Sequence, residues 1–464
     1  MNKYFIEHLV LLFTRVPRVL IALIIRCFVK KRLKDGSDTI FYTNKSRKIT
    51  ILMLDSARYR GDIDILTKSD YFRILHVRQG VQNFLVNIFL KGDIQIDKIT
   101  NNKLSHKTYG QHLKTIKLFR EVLKHLYNIV NIDCVTTVHY KYIPDYYWTL
   151  VSEELLVPYI CLYRECNLMS PVTYDRVVQM MMGIGSFHGS RVIVHNKKCK
   201  EVFFDANFAS DEQISIAGVL RMDELNDNKL QHLNDFITNK KKVFTLFYFP
   251  VNTPTFCLFK DSVEKYNVNN VCWEKQRNYG CWEFKNIFFT SLHIKILEMA
   301  SVNPDIDFVI KTKREFTTTN DWKFYKKLLV DSDIDFEGLN NYRIEIDVDT
   351  HSLINKSNVV CGLQSTTTAE SIFMEKKVLV PLFYGFRSTK FYDLFPWRKY
   401  EDLYCVVEDI ADFEMEILSA FNETTPRYST NNRKNELFKD IFGFDDGESL
   451  SRYEKIIIDT VKGV

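Results

Sequence analysis

From residue 49 onward, short continuous apolar runs alternate with longer stretches whose apolar residues recur at helical spacing. The runs predict strands at Ile49–Leu54, Arg73–Val77, Cys134–Val138, Tyr159–Tyr163, Arg191–His195 and Ile214–Ala217. A second series follows at Val243–Phe249, Asp307–Lys311, Tyr342–Ile346, Asn358–Cys361, Val378–Leu382 and Leu403–Val407. None alternates polar with apolar, so the pattern predicts parallel strands buried on both faces. Helices are expected between them, among others at Gln111–Val130, Asp175–Met182, Ser291–Ser301 and Thr367–Glu375. Strand–helix alternation of this kind predicts two successive α/β units. Their boundary is expected in the polar stretch Met222–Lys242. The expected organisation is residues 1–48, then domains over 49–230 and 231–450, then a C-terminal helix over 451–464 that packs back across the junction. Residues 251–290 read as a long insertion rich in Asn, Cys and Trp, of a length that is usually functional or mobile.

Charge changes this picture at one end only. The chain of 464 residues carries a net +5. Residues 1–48 hold eleven Lys/Arg against three acids, a net +8, which leaves −3 for the remainder. The basic excess is a leader and not a property of the body, which removes the argument for a nucleic-acid partner. The longest apolar run of the leader, Val19–Ile25, is far short of the roughly 20 residues that span a bilayer. At 100° per residue, His8, Arg15, Arg18, Arg26 and Lys30 share one sector of a helix, while Phe5, Leu9, Leu12, Phe13, Leu20, Leu23 and Ile24 fill much of the rest. That pattern predicts an amphipathic helix lying on an anionic membrane surface, kinked at Pro17, with Arg15, Arg18, Arg26, Lys30, Lys31 and Arg32 meeting headgroups. The alternative is a helix packed on its own domain or on a partner. None of the ten cysteines has CxxC spacing, so a zinc ribbon or thioredoxin-type site is not expected, and a reduced, cytoplasmic protein is.

The stretch with most chemistry is Asn355–Pro381, NKSNVVCGLQSTTTAESIFMEKKVLVP. A strand ends in a glycine turn, and Ser365, Thr366, Thr367 and Thr368 then open a helix. Helix N-termini carry free N–H groups and the positive dipole end, so this is an expected phosphate site beyond a strand's carboxyl end. Glu370, one turn further in, is placed to reach ribose hydroxyls. Simple N-capping by Ser365 or Thr366 is the plainer alternative.

This stretch resembles the donor-binding half of GT-B glycosyltransferases. EELLVPYICLYRE and RVIVHNKKCKEVFFDANFASDEQISIAGVLRMD are similar to the first domain of bacterial surface-polysaccharide transferases of that fold, of the capsule or O-antigen type. The resemblance covers about Ile49 to Val407. It implies two Rossmann-like doubly wound domains facing a cleft, a nucleotide-activated sugar as substrate, no bound metal and no cofactor. It also implies that Glu370 holds the ribose. Two departures stand out. Glu375 and Lys377 occupy the place of a common Gly-x-Pro, and KTKRE follows the strand Asp307–Lys311 where relatives using CMP-sugars or CDP-polyols often carry His-Pro. Lys311, Lys313 and Arg314 are the candidates for charge on the leaving phosphate.

Transfer also needs a base or an electrostatic clamp. Three residues end strands of the first unit: Glu165 first, then His195, then Asp55. Arg221 and Asp223 read as structural. D-x-D recurs too often to mark a metal site, and P-loop, GxGxxG, HExxH and nucleophile-elbow patterns are absent. The expected function is transfer of a sugar from a nucleotide donor to a surface polysaccharide or lipid-linked glycan at the inner face of the cell membrane. A CDP-polyol phosphotransferase of teichoic-acid type, a non-catalytic scaffold of the same fold and a nucleotide-sugar epimerase are the alternatives.

Overall fold

The computed structural model describes residues 17–40, 48–59, 61–90, 99, 105–140, 142–165, 167–223, 242–248, 279–312, 325–327, 329–330, 334, 338–388, 392–393, 395–422 and 431–463. The chain divides into two compact units, Met1–Cys166 with Val177–Glu224 and Phe442–Val464, and Asn167–Arg176 with Leu225–Ile441.

In chain order the first stretch contains α1 (Arg18–Cys27), β1 (Lys30–Arg32), β2 (Asp38–Ile40), β3 (Ile49–Met53), α2 (Asp62–Thr67), β4 (Phe72–His76), α3 (Gln79–Phe89) and α4 (His106–Val130). It continues with β5 (Cys134–Thr137), α5 (Ile143–Glu154), β6 (Tyr159–Leu162), α6 (Pro171–Ile184), β7 (Arg191–Val194), α7 (Lys197–Asp205) and β8 (Ile214–Ile216). The second stretch contains β9 (Lys242–Phe247), α8 (Tyr279–Val302), β10 (Ile306–Lys311), β11 (Tyr342–Glu345), α9 (Thr350–Lys356), β12 (Val359–Cys361), α10 (Thr366–Phe373), β13 (Lys377–Pro381), β14 (Cys405–Val407), α11 (Ile410–Asn422) and α12 (Asn431–Phe442). A last helix, α13 (Ser449–Lys462), belongs to the first unit.

The first sheet runs β2-β1-β4-β3-β5-β6-β7-β8, and β3 through β8 are parallel. Its parallel part has the order second, first, third, fourth, fifth, sixth, so the winding reverses between β3 and β5. The second sheet runs β11-β10-β9-β12-β13-β14, all parallel, the 3-2-1-4-5-6 order of dinucleotide-binding sheets, and it reverses between β9 and β12. Both units are thus doubly wound α/β sheets. Strands such as β4, β5 and β6 are buried along their whole length, because helices cover both faces.

Local signals set several boundaries. Ser105 caps α4 by accepting from the Thr108 amide, and Asn131 ends it in the left-handed conformation. Asn196 caps α7 and Asp349 caps α9 in the same way. The start of α13 takes its cap from a distant residue: Asp223 accepts from the Ser449 and Leu450 amides at 3.1 and 2.8 Å. That pins α13 to the first unit, with Tyr453 and Ile457 in its core beside Ile51, Leu162 and Ile193. Asp223 is therefore structural, and α13 completes the first unit's core. Gly443 lies at φ +90°, and a Cβ there would stand 2.0 Å from the His195 carbonyl oxygen.

The leader departs from the expected continuous helix. α1 stops at Cys27, and Lys30–Arg32 is a strand that pairs with β2 and, antiparallel, with β4. Ile21, Ala22 and Ile25 are buried where α1 packs on α4, and Arg18 pairs with Glu121 at 3.0 Å. Arg32 contacts Asp64 at 2.6 Å and Asp38 at 3.0 Å, so its charge is spent inside the fold and not on headgroups. The physical reason is the paired carboxylates, which let a basic tripeptide close the sheet edge. His8 and Arg15 lie outside the described residues, as do residues 251–278 of the insertion; the remainder of that insertion opens α8. Among the described residues, no helix is long and apolar enough to cross a membrane.

Candidate functional site

In the second unit, β12 ends at Cys361 on the strand-order reversal, and α10 begins five residues later. A crevice at the carboxyl ends of strands at such a reversal is where open α/β sheets receive ligands. Gly362 permits a close helix-on-strand contact here: a Cβ would lie 2.7 Å from Thr368 Oγ1. Two bonds fix the turn, from Trp397 Nε1 to the Leu363 carbonyl at 2.9 Å and from Asn167 Nδ2 to the Gln364 carbonyl at 3.2 Å. Ser365 is the N-cap and accepts from the Thr367 amide at 3.3 Å. Thr366 is the first helical residue. The Oγ1 atoms of Thr367 and Thr368 and Nε2 of Gln364 are inaccessible yet have no hydrogen-bond partner. Capping thus uses Ser365 alone and leaves two hydroxyls and an amide unspent, an arrangement that costs stability unless something else engages it.

Glu370 is buried on the same helix, with Oε2 3.2 Å from His351 Nε2 at the start of α9. It faces a histidine in the first turn of α9 and is not an open carboxylate. Lys311 ends β10, but its Nζ donates to the carbonyls of Thr312 and Ile346 at 2.9 and 2.6 Å. Burial lowers its pKa, against the opposing pull of Asp347, Glu345 and Asp349. Lys311 thereby ties the β10 and β11 loops together. Lys313 and Arg314 lie outside the described residues.

In the first unit, the reversal between β3 and β5 gathers a polar cluster. Asp55, just past β3, is buried with left-handed backbone at φ 52°, an uncommon conformation for a non-glycine residue. Its Oδ2 is 2.5 Å from Arg58 Nε, yet burial outweighs Arg58 and raises its pKa. Arg58 also reaches the His139 ring past β5, at 3.2 Å to Nε2, and stacks 4.3 Å over the Tyr142 ring. Arg164, past β6, pairs with Asp62 at 2.9 Å and donates to the Arg58 carbonyl.

Behind this cluster sits a carboxyl that sequence reasoning missed. Asp145, in the first turn of α5, is fully buried and accepts from Gln82 Nε2 at 2.6 Å, from the Tyr142 amide at 3.3 Å and from Thr137 Oγ1 at 3.4 Å. Burial pushes its pKa up to about 7, opposed by the hydrogen bonds from Tyr142 and Gln82 and by Arg58. The only sequence signal was Pro144-Asp145 opening a helix after a strand, which reads as a cap.

The expected bases are spread along the sheet's carboxyl edge. Glu165, past β6, is exposed, and no bond engages its side chain among the described residues. His195, past β7, is 2% exposed with Nδ1 unpartnered; burial, then Arg221 and Arg164, hold its pKa well below the ordinary value, so it is neutral. Of the three, only Asp55 stands at the strand-order reversal.

No family model matches the chain, and no curated protein matches it. Solved structures do. The UDP-GlcNAc 2-epimerase of Methanocaldococcus jannaschii aligns at 13% identity over 89% of this chain and 99% of its own, with a TM-score of 0.46. The UDP-GlcNAc 2-epimerase of Neisseria meningitidis, bound to UDP-GlcNAc, aligns at 14% identity over 90% and 100%, with a TM-score of 0.43. The α,α-trehalose 6-phosphate synthase of Burkholderia multivorans aligns at 9% identity over 90% and 99%, also with a TM-score of 0.43.

Proposed function

We propose that the chain is a glycosyltransferase that takes a sugar from a nucleotide-activated donor and passes it to a surface polysaccharide or lipid-linked glycan. The observation that carries this reading is the hydroxyl-rich N-terminus of α10 at the strand-order reversal of a 3-2-1-4-5-6 sheet. The donor's phosphates sit at the positive end of α10, on the free amide of Thr366 beside the Ser365 cap. Glu370, held against His351, borders the ribose. Lys311 organises the neighbouring loop.

The chemistry asks little of the second unit beyond charge. As the acceptor oxygen bonds to the anomeric carbon, the bond to the nucleotide phosphate breaks, and the electron pair leaves with the phosphate. The N–H group and dipole of a helix N-terminus aimed at that phosphate stabilise the charge as it develops. The acceptor proton goes to a carboxylate of the first unit. Glu165 is the proposed base, because its carboxylate is exposed and unengaged, whereas Asp55 is tied to Arg58 and His195 is buried. Arg58, His139 and Tyr142 supply the acceptor surface.

Incubation with UDP-, GDP-, CDP- and CMP-sugars and a glycan-bearing lipid extract tests this reading. Acceptor-dependent release of free nucleotide is expected, and Glu165→Gln should lower kcat about 100-fold or more with KM for the donor little changed. Consumption of the sugar nucleotide without acceptor and without free nucleotide would instead identify an epimerase. Transfer of the polyol together with its phosphate would identify the phosphotransferase.

A further inference from the structure

α1 is apolar on the side that meets α4 and apolar on the side that does not. Ile21, Ala22 and Ile25 are buried, while Val19, Leu20 and Leu23 are 42–45% exposed and Phe28, just past the helix, is 58% exposed. A surface helix ordinarily turns a polar face to water. The neighbouring outer stripe of α4 is mixed. Tyr109 and Leu113 are each 49% exposed, and at 100° per residue they fall within 80° of Lys117 and Lys124. Among the described residues, no ion pair engages Lys31, Lys114, Lys117 or Lys124.

Topology places one end of this face. α1 runs straight into β1, whose Lys30 pairs with His76 at the carboxyl end of β4. α4 finishes just before the amino end of β5, so it begins at the carboxyl edge. The α1–α4 face therefore reaches the same edge of the first sheet as Asp55 and Arg58.

We propose that the α1–α4 face docks on an anionic lipid bilayer, with Leu20, Leu23 and Phe28 in the interfacial layer and Lys31, Lys114, Lys117 and Lys124 on the headgroups. Apolar side chains beside unpaired charges of one sign match the two components of such a surface. A second copy of the chain would bring like charges together. The docking stands independently of the donor reading. If both hold, the acceptor edge of the first unit lies at the membrane, where a lipid-linked glycan is found.

The test is co-sedimentation of the full chain with phosphatidylcholine vesicles, with and without phosphatidylglycerol. The wild type should pellet only with the anionic vesicles and should release in high salt. Lys114→Gln/Lys117→Gln/Lys124→Gln should weaken binding on the order of 100-fold, and Leu20→Ser/Leu23→Ser at least about tenfold. As a measurement that needs no variant, anionic vesicles should slow alkylation of the exposed Cys27, read by peptide mass. Three results overturn the proposal: a wild type that stays in the supernatant, variants that bind as the wild type does, or a wild-type dimer that the leucine variant dissociates while Cys27 stays equally reactive with vesicles present.

Discussion

Asp145 offers a prediction with a definite sign. Its carboxyl is fully buried, and its pKa is raised from an ordinary 3.8 to about 7. Between those values the folded chain holds a proton that the unfolded chain has released. Stability therefore falls as pH rises through this window, by about 1.4 kcal/mol per pH unit, and the full loss of on the order of 4 kcal/mol is present above pH 7. Asp145→Asn removes the titration. It also turns an acceptor for the Tyr142 amide into a possible donor, a cost of about 1–3 kcal/mol that does not depend on pH. Whatever the offset at pH 5, the variant should gain on the wild type by about 3 kcal/mol between pH 5 and pH 8. Urea denaturation of both proteins at each pH reads this directly, because titration of other groups cancels in the difference. Parallel stability curves between pH 5 and pH 8 would refute the reasoning.

Two further substitutions probe the first unit. Gly443→Ala puts a Cβ against the His195 carbonyl at a positive φ and should cost about 3 kcal/mol, seen as a lowered Tm. Asp223→Ala leaves the first amides of α13 uncapped and should cost about 1–3 kcal/mol, with hydrogen exchange accelerated first in Ser449–Lys462.

Every strand of the two parallel sheets from residue 49 onward was legible in the sequence, to within about two residues at each end. Runs such as Val359–Cys361 and Lys377–Pro381 are β-rich and buried on both faces, so the reason they are strands is written locally. The β1–β2 hairpin was not legible. KKR and DTI carry no apolar run, and what makes them strands is remote: Arg32 on Asp64 and His76 on Asp38. Charged residues on a sheet edge are common, but their sequence signature is only a basic cluster. The hydroxyl cluster of α10 was readable because strand, glycine and cap are consecutive. Lys311 looked like a free cation at a strand end; its two carbonyl partners, one of them 35 residues away, are a tertiary fact. Asp145 was invisible for the same reason, since its raised pKa depends on burial and on Gln82, 63 residues distant.

The central claim is that the α10 N-terminus holds a phosphate, and Ser365→Asp tests it most directly. Aspartate caps a helix as well as serine does, so the capping role survives and stability should be unchanged or slightly higher. The added carboxylate sits where the donor phosphate is proposed to lie and should repel it. Calorimetric titration with UDP, GDP, CDP and CMP should show one of them binding the wild type, and at least tenfold weaker binding to Ser365→Asp at equal Tm. Absence of binding by all four nucleotides to the wild type, or equal affinity in the variant, would contradict the account.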